Sequence, residues 1–419
     1  MSLQVTDGWG IRSAHEVRCD VVVVGSGPAG AAAARVLSRS GAKVVIIEEG
    51  SLHTRFAEDG FNSMAALYRD MGGSLTSGRG PVPYVQGRAV GGDSVVNGAI
   101  SWRLPKYVHD EWLAADGSLE TTLPWARLQA ATDAIEADLN IHPTEPAIAG
   151  ANNLLMAAGA EALGLAHRPI SRNVRGCQGR GQCLQGCQIG AKMSMDRTYL
   201  PDAVSAGAQI LARCTAERVL VSRHRAVGVR ARSAGGARIT VHADRVILAA
   251  SAVQTPLLLI RSGLGQGPVG QHFQCHPGVS MTGRFPDPVR MWTGATQGHE
   301  VIGLVADRIK FEALGFDMAV LASRVDGVGR QLADGIADFA HLASWGAAVR
   351  AEAQGKVSRG FLGRKVRFDL TEADLGRVIK SLRVLGEMMF AAGAEWVSPG
   401  VHGWHKRVAD RKVMARFED

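Results

Sequence analysis

No run of about 20 clean apolar residues occurs in this 419-residue chain. The best stretches, residues 21–37 and 246–260, are cut by Gly, Pro, Ser and Gln, so no bilayer-spanning helix is predicted. The first residues, MSLQVTDGWGIRSAH, lack a basic start, an apolar stretch and a small-residue cleavage site. On that basis the chain reads as cytoplasmic, or periplasmic only if exported with a partner. Six cysteines are too few for a disulfide scaffold, although three of them fall within eleven positions. Neither G-x-S-x-G nor H-E-x-x-H is present to support hydrolase chemistry. There is no internal repeat and no low-complexity tract. Lys and Arg exceed acids by 8, but the surplus is scattered among acids until the last stretch, which argues against a nucleic-acid groove.

What is present is a core-forming composition, 46% hydrophobic and 21% charged, which excludes wholesale disorder. The length suggests two or three domains. Glycine is abundant, 51 of 419, and predicts many tight backbone positions. Residues 19–24 (CDVVVV) are a β-branched run too short for a helix, so they predict a buried parallel strand. It runs into Gly25-Ser26-Gly27-Pro28-Ala29-Gly30, then an alanine-rich helix over residues 31–40. Gly41 stops that helix, and residues 43–48 (KVVIIE) supply a second buried strand. Leu128, Ala131, Ile135 and Leu139 mark one apolar helix face. Residues 209–250 change to short Val- and Ile-rich segments separated by turn residues, a β-meander returning to a buried strand at 246–250. Thr371 with Asp374 forms a capping-box start for a helix to about Ala391.

The first glycine loop has the features of a dinucleotide cradle. Gly25 permits the tight turn, Gly27 lets a pyrophosphate approach the backbone, and Gly30 lets helix pack on strand. Phosphates would sit at the helix N-terminus, where free N–H groups favour anions. Glu48 lies eighteen residues after Gly30 (48 − 30), where a carboxylate can accept from ribose hydroxyls. A strand before, a helix after and an acid at that distance favour a functional over a merely structural glycine loop.

These motifs, with three further stretches, resemble the glucose–methanol–choline (GMC) family of flavin oxidoreductases. GRAVGGDSVVNG (residues 87–98) is similar to its first signature, SAVQTPLLLIRSGLG (251–265) to its second, and VGQHFQCHP (269–277) to the short motif that follows. The resemblance implies FAD as cofactor and an α/β fold: a Rossmann-like FAD-binding domain with an inserted β-meander, plus a mixed α+β substrate domain. It implies domain pieces at 16–105 and 196–277 for FAD, 106–195 as a helical segment with a Cys-rich loop, and 278–419 as the substrate domain and a C-terminal partner-binding region. The cofactor-binding residues it implies are Gly25, Gly27, Pro28, Ala29, Gly30, Glu48, Glu49, Arg88, Gly91, Gly92, Ser94, Asn97, Gly98 and Ala250, with Val219 on the adenine-side strand. Asp93 departs from the family, which usually has a small residue there. Without the resemblance, 87–98 would read as a solvent-exposed glycine turn, and Thr255-Pro256 as a helix start.

Cys177, Cys183 and Cys187 have C-x5-C-x3-C spacing, which fits thiolate ligands of an iron–sulfur cluster or a reduced structural loop. Structural zinc would lack one ligand. The stretch resembles a loop that holds a three-iron, [3Fe-4S] cluster in bacterial multi-subunit sugar dehydrogenases of the family, and equally the Cys/Gly-rich loop of long-chain alcohol oxidase-like members. Cys19, Cys214 and Cys275 read as small core residues. His402 and His405 form H-x-x-H, more simply a surface pair than a metal site, and His272 and His276 read as packing residues. In the family a C-terminal segment carries the catalytic histidine; this sequence reaches Phe417-Glu418-Asp419 about where it should begin.

The reading is an FAD-dependent dehydrogenase subunit that oxidises an alcohol or sugar hydroxyl to a carbonyl. Its histidine would come from a second polypeptide, with His402 or His405 as weak substitutes. The alternative is a non-catalytic flavin-binding or scaffold subunit; a nicotinamide-binding protein is disfavoured by the family motifs. An electron-acceptor protein is a further expected partner. The basic run Lys406, Arg407, Arg411, Lys412 and Arg416 fits either a partner surface or a solvated tail.

Overall fold

A computed structural model of the chain describes residues 3–322, 328–361 and 363–417. Two sheets organise it. The first has seven strands in the order Thr6–Asp7, Gln209–Ala212, Val44–Ile47, His15–Val24, Arg238–Leu248, Arg225–Ser233, Cys214–Ser222. The first four junctions are parallel and the last two antiparallel, so the β-meander extends the parallel sheet as an added edge. Val21–Val24 are buried without alternation because both faces are covered. Val21 and Val23 pack beneath the helices Pro28–Arg39 and Tyr199–Ser205, while Val22 and Val24 pack against the opposite cluster with Leu258.

The glycine-loop helix starts earlier than residue 31, at Pro28, with Gly27 as its cap. Proline suits that position because its missing N–H would be unpaired there anyway. Pro256, by contrast, does not begin its helix. Ser251–Arg261 starts five residues before it, with Ser251 Oγ accepting from the N–H groups of Val253 and Gln254 at 3.3 and 3.2 Å.

The second sheet is antiparallel throughout, in the order Trp396–Ser398, Gly278–Arg284, Leu342–Val349, Ile309–Ala313, His299–Val301, His167–Pro169. Helices Ala151–Ala162 and Glu372–Ala391 back one face, enclosing Met156, Phe311, Trp345, Leu385 and Met388. The stretch expected to be a helical segment therefore contributes a strand, His167–Pro169, whose partner lies more than a hundred residues away. Alternation in Ile309–Ala313 buries Ile309, Phe311 and Ala313 and turns Lys310 and Glu312 to the other face. The capping box forms as expected, and Asp374 also accepts from the N–H groups of Glu352 and Ala353. No helix among the described residues is long and apolar enough to cross a membrane.

Candidate functional site

Parallel strands of an open sheet all end on one edge, and ligands bind in the crevice there. Here that edge opens into a cavity of about 660 Å³, lined by Gly25, Gly27, Pro28, Ala29, Glu48, Glu49, Cys214–Ala216 and Ala249–Ala252, among others. Gly25 has φ +100°, and a side chain there would run into the Ala249 carbonyl. A Cβ on Gly30 would overlap the Gly25 carbonyl oxygen, so helix and strand touch only because it is absent. A Cβ on Gly27 would meet nothing nearer than Gly92 Cα at 3.9 Å. It would stand in the cavity itself.

Residues 87–98 are not an exposed turn. The segment folds onto the first loop so closely that a Cβ on Gly92 would come within 2.7 Å of Gly27 Cα. Gly91 N–H donates to Ser26 Oγ at 3.0 Å, and Ser26 donates to Glu48 Oε2 through its hydroxyl (2.7 Å) and N–H (2.9 Å). Gly50 N–H supplies the other carboxylate oxygen at 2.7 Å. Glu48 thus ties both glycine loops to the strand end. Burial pushes its carboxyl above the usual range despite the donors on Gly50 and Ser26. Burial also opposes ionisation of Glu49, but Arg69, bonded to both its oxygens, and Arg88 beyond hold that carboxyl below the usual range. Asp93 faces the cavity and accepts from Gly87 N–H, and burial raises its carboxyl.

Beyond the second turn lies a larger cavity of about 1030 Å³. Asn97 and Gly98 form part of its wall, with Trp102, Tyr107, Gln274, His276, Gln297 and the outer face of the second sheet at Lys310, Glu312 and Arg350. Buried Glu300 anchors this wall: it accepts from Trp102 Nε1 at 2.7 Å and Arg168 Nε at 2.8 Å, with Lys310 Nζ at 3.7 Å. Lys310 and Arg168 also stand over the Trp102 ring, 4.4 and 5.1 Å from its centroid.

Several expected residues lie elsewhere. Gly91 and Ser94 are buried behind the cradle, where Ser94 Oγ donates to Gly91 O and accepts from Met195 N–H. Arg88 borders an adjoining cavity rather than the main one. Val219 is a core residue whose N–H donates to Ser262 Oγ; on its strand Cys214, Thr215 and Ala216 open to the cavity instead. His402 and His405 sit on an exposed loop and line neither cavity. His276 lines the second cavity instead of packing. The sequence reading missed Arg69, Gln86, Ser251, Gln254 and Arg261 in the first cavity and Trp102, Tyr107 and Gln297 in the second. Ser251, Gln254 and Arg261 lie within the second recognised signature and Gln86 adjoins the first, so these were reachable on that ground; Arg69, Trp102, Tyr107 and Gln297 lie outside the quoted motifs.

The cysteine loop does not assemble a metal site. Among the described residues no group of three His, Cys, Asp or Glu side chains is placed to hold a metal ion. Buried Arg172 stands between thiols, with Nη2 3.0 Å from Cys183 Sγ and Nη1 3.8 Å from Cys177 Sγ. Buried Lys192 donates to the carbonyls of Val95, Asn97 and Cys183 at 2.7 to 2.9 Å. Two cations stand at this spot, Arg172 beside two of the three thiols and Lys192 on the Cys183 carbonyl. They compensate a thiolate: burial disfavours it, but Arg172 and Lys192 pull the Cys183 thiol below its ordinary value. Burial in turn lowers Lys192 to about 8.

The first cavity fits a dinucleotide flavin. Gly27 caps its helix with no side-chain acceptor, leaving the first N–H groups free for an anion beside an open approach. Residues 20–74 match the model of an FAD binding domain, and residues 64–278, half of the chain, match that of GMC oxidoreductase. A GMC-type oxidoreductase of Mycobacterium tuberculosis is 36% identical over 92% of this chain and 62% of its own length. The chain thus spans about three fifths of that relative. A long-chain-alcohol oxidase of Arabidopsis thaliana is 36% identical over 67% of this chain and 39% of that protein. The crystal structure of pyridoxine 4-oxidase from Mesorbium loti superposes with a TM-score of 0.66 at 18% identity, covering 95% of this chain and 86% of that one, a likeness of fold. With both glycine turns joined around one cradle and the family pattern running from one through the other, the chain belongs to the GMC oxidoreductases.

Proposed function

We propose that this chain is the flavin-binding part of an FAD-dependent dehydrogenase that oxidises the CH–OH group of a small-molecule alcohol or sugar to a carbonyl. One observation carries the reading: a single turn, residues 87–98, walls the cofactor cavity on one side with Gly92 and Asp93 and the larger cavity on the other with Asn97 and Gly98. The two cavities therefore adjoin at this turn, so a substrate held in the larger one lies next to the cofactor site. When bound, FAD supplies the hydride acceptor. The chain's own residues bind and orient. Gly25, Gly27 and Pro28 present backbone to the pyrophosphate, and Glu48 holds the two turns in register. Gln86, which donates to Ser251 Oγ at 2.7 Å and accepts from Gln254 at 3.4 Å, forms a polar wall beyond them. In the larger cavity Trp102 and Tyr107 give apolar area, and Gln274, His276 and Gln297 give hydrogen-bonding groups.

The alcohol-oxidising name of the Arabidopsis relative supports the substrate class. Loss of the hydroxyl proton requires a base. His276 is the histidine at the larger cavity among the described residues; the principal base, in this reading, comes from polypeptide outside these 419 residues. The test is flavin content and alcohol-dependent dye reduction, with and without oxygen, for the chain alone and with co-purifying polypeptides. Bound flavin that no alcohol or sugar reduces under any of these conditions overturns the reading and leaves a flavin-binding scaffold.

A further inference from the structure

Two short hairpins next to the cofactor cavity carry chemistry that the oxidoreductase reading does not use. Ser74–Leu75 pairs with Pro83–Tyr84, and Lys356–Ser358 pairs with Lys365–Arg367. They are joined edge to edge: Ser77 N–H donates to Val366 O at 2.7 Å, Phe368 N–H donates to Ser77 O at 3.0 Å, and Arg364 reaches Ser74 Oγ at 3.2 Å. Both stand on one apolar cluster, in which Val357, Val366 and Tyr84 pack against Val253 and Leu257. Alternate residues of a strand face opposite sides, so the neighbours of these anchors point outward.

The outward set is unusual in two respects. Its apolar members are open to solvent: Leu75 and Val85 are each 59% exposed, and Phe361, beyond the paired residues, is fully exposed at 104%. Its charged members have one sign. Residues 71–86 and 354–368 contain Arg79, Lys356, Arg359, Arg364, Lys365 and Arg367 and no acid. Arg364 and Arg367 are paired, with Asp70 and Asp369. Lys356, Arg359 and Lys365 form no ion pair among the described residues, whereas Arg79 lies by Asp369, to which its N–H donates at 2.7 Å. Lys356 lies directly opposite Arg367 in the ladder, and like charges so placed weaken a hairpin unless something anionic lies over them.

An exposed aromatic at a loop tip, flanked in sequence by Arg359 and Lys365, which form no ion pair among the described residues, fits the boundary of an anionic bilayer, where the ring enters the headgroup layer and the cations meet phosphates. We propose that these two hairpins are a docking face for the surface of an anionic phospholipid membrane. The proposal stands independently of the catalytic reading, since none of its exposed apolar or charged residues lines either cavity.

The purified chain is sedimented with vesicles of phosphatidylcholine alone and of phosphatidylcholine mixed with phosphatidylglycerol, at low and high salt. Binding to the mixed vesicles, weakened by salt, is expected. Joint replacement Lys356→Ser, Arg359→Ser and Lys365→Ser should lower it about 100-fold, near fivefold for each cation. Phe361→Ser should lower it about tenfold, while Phe361→Leu keeps most of it. All four side chains are exposed, and circular dichroism matching the parent confirms that the variants fold. Absence of sedimentation with the mixed vesicles, equal binding to the neutral ones, or binding that the triple and the Phe361→Ser variants leave unchanged each overturns the proposal.

Discussion

The two sheets build their cavities in opposite ways. At the seven-stranded sheet the recognition surface is mostly backbone, held in two glycine turns where parallel strands end, and one buried carboxylate, Glu48, fastens the turns together. At the six-stranded sheet the wall is side chains gathered from residues 97–108, 274–276, 297 and 305–352, propped by charge networks around Glu300. A backbone cradle accepts one kind of ligand and tolerates little change. A side-chain wall can be altered residue by residue, and that is where specificity is expected to vary.

Substitutions can break this contrast, and Gly27→Val should have the largest effect. The new side chain stands in open space, so the fold and its melting temperature should survive, while flavin affinity falls by about 100-fold or more. Flavin-to-protein ratio with a thermal melt checks both halves. Retained flavin would show that the first cavity is not a pyrophosphate cradle. Lys192→Met should cost about 3 kcal/mol of stability, because three buried carbonyls lose their donor. This effect has a pH signature. Burial lowers Lys192 to about 8 from 10.5, so between these values the unfolded chain holds the extra proton and the stability due to this group rises with pH. Urea unfolding of parent and variant should therefore show a gap that widens from pH 8 upward.

Glu48→Ala should weaken flavin binding by roughly 2 kcal/mol, since it frees Ser26 and Gly50 as well as any ribose contact; fluorescence titration reads it. Trp102→Ala sharpens the contrast: flavin content should stay unchanged while the alcohol KM rises about fivefold, locating substrate contacts on the second wall. The smallest effect is expected at His299, which bonds His167 at 2.9 Å and is lowered to about 4 by burial and by that neighbour's charge. A depressed histidine contributes stability above its ordinary value of 6.5 that is lost as pH falls through 4. Acid unfolding of His299→Asn should lack that component.

Much of the first region was legible because its information is local. A valine run, a glycine triplet and an acid at the next strand's end lie within 30 residues (19–48), and each reports a backbone requirement that few other residues meet. The glycine turn at 87–98 was recognised by family pattern, yet its fit against Gly27 and its bond through Ser26 appear only when the loops meet. Val219 lies on the strand that opens to the cavity, but the lining there comes from Cys214, Thr215 and Ala216 at the strand's start, while Val219 itself is in the core. The cysteine spacing was compatible with a cluster, but Arg172, five residues before the first cysteine, gave no sign in sequence that it would stand among the thiols. Trp102 and Gln297 lie in stretches without a motif, 195 residues apart in sequence (297 − 102), and become one wall only where the fold brings them together.

The amino-acid sequence by itself determined the parallel α/β core, the position of the cofactor cradle and the family, since these follow from short-range patterns of burial and backbone freedom. Only the tertiary structure decided that two cations occupy the cysteine loop, that one turn separates two cavities, and that two distant hairpins present their unpaired charges together. Those outcomes depend on contacts between segments far apart in the chain, where sequence spacing carries no distance.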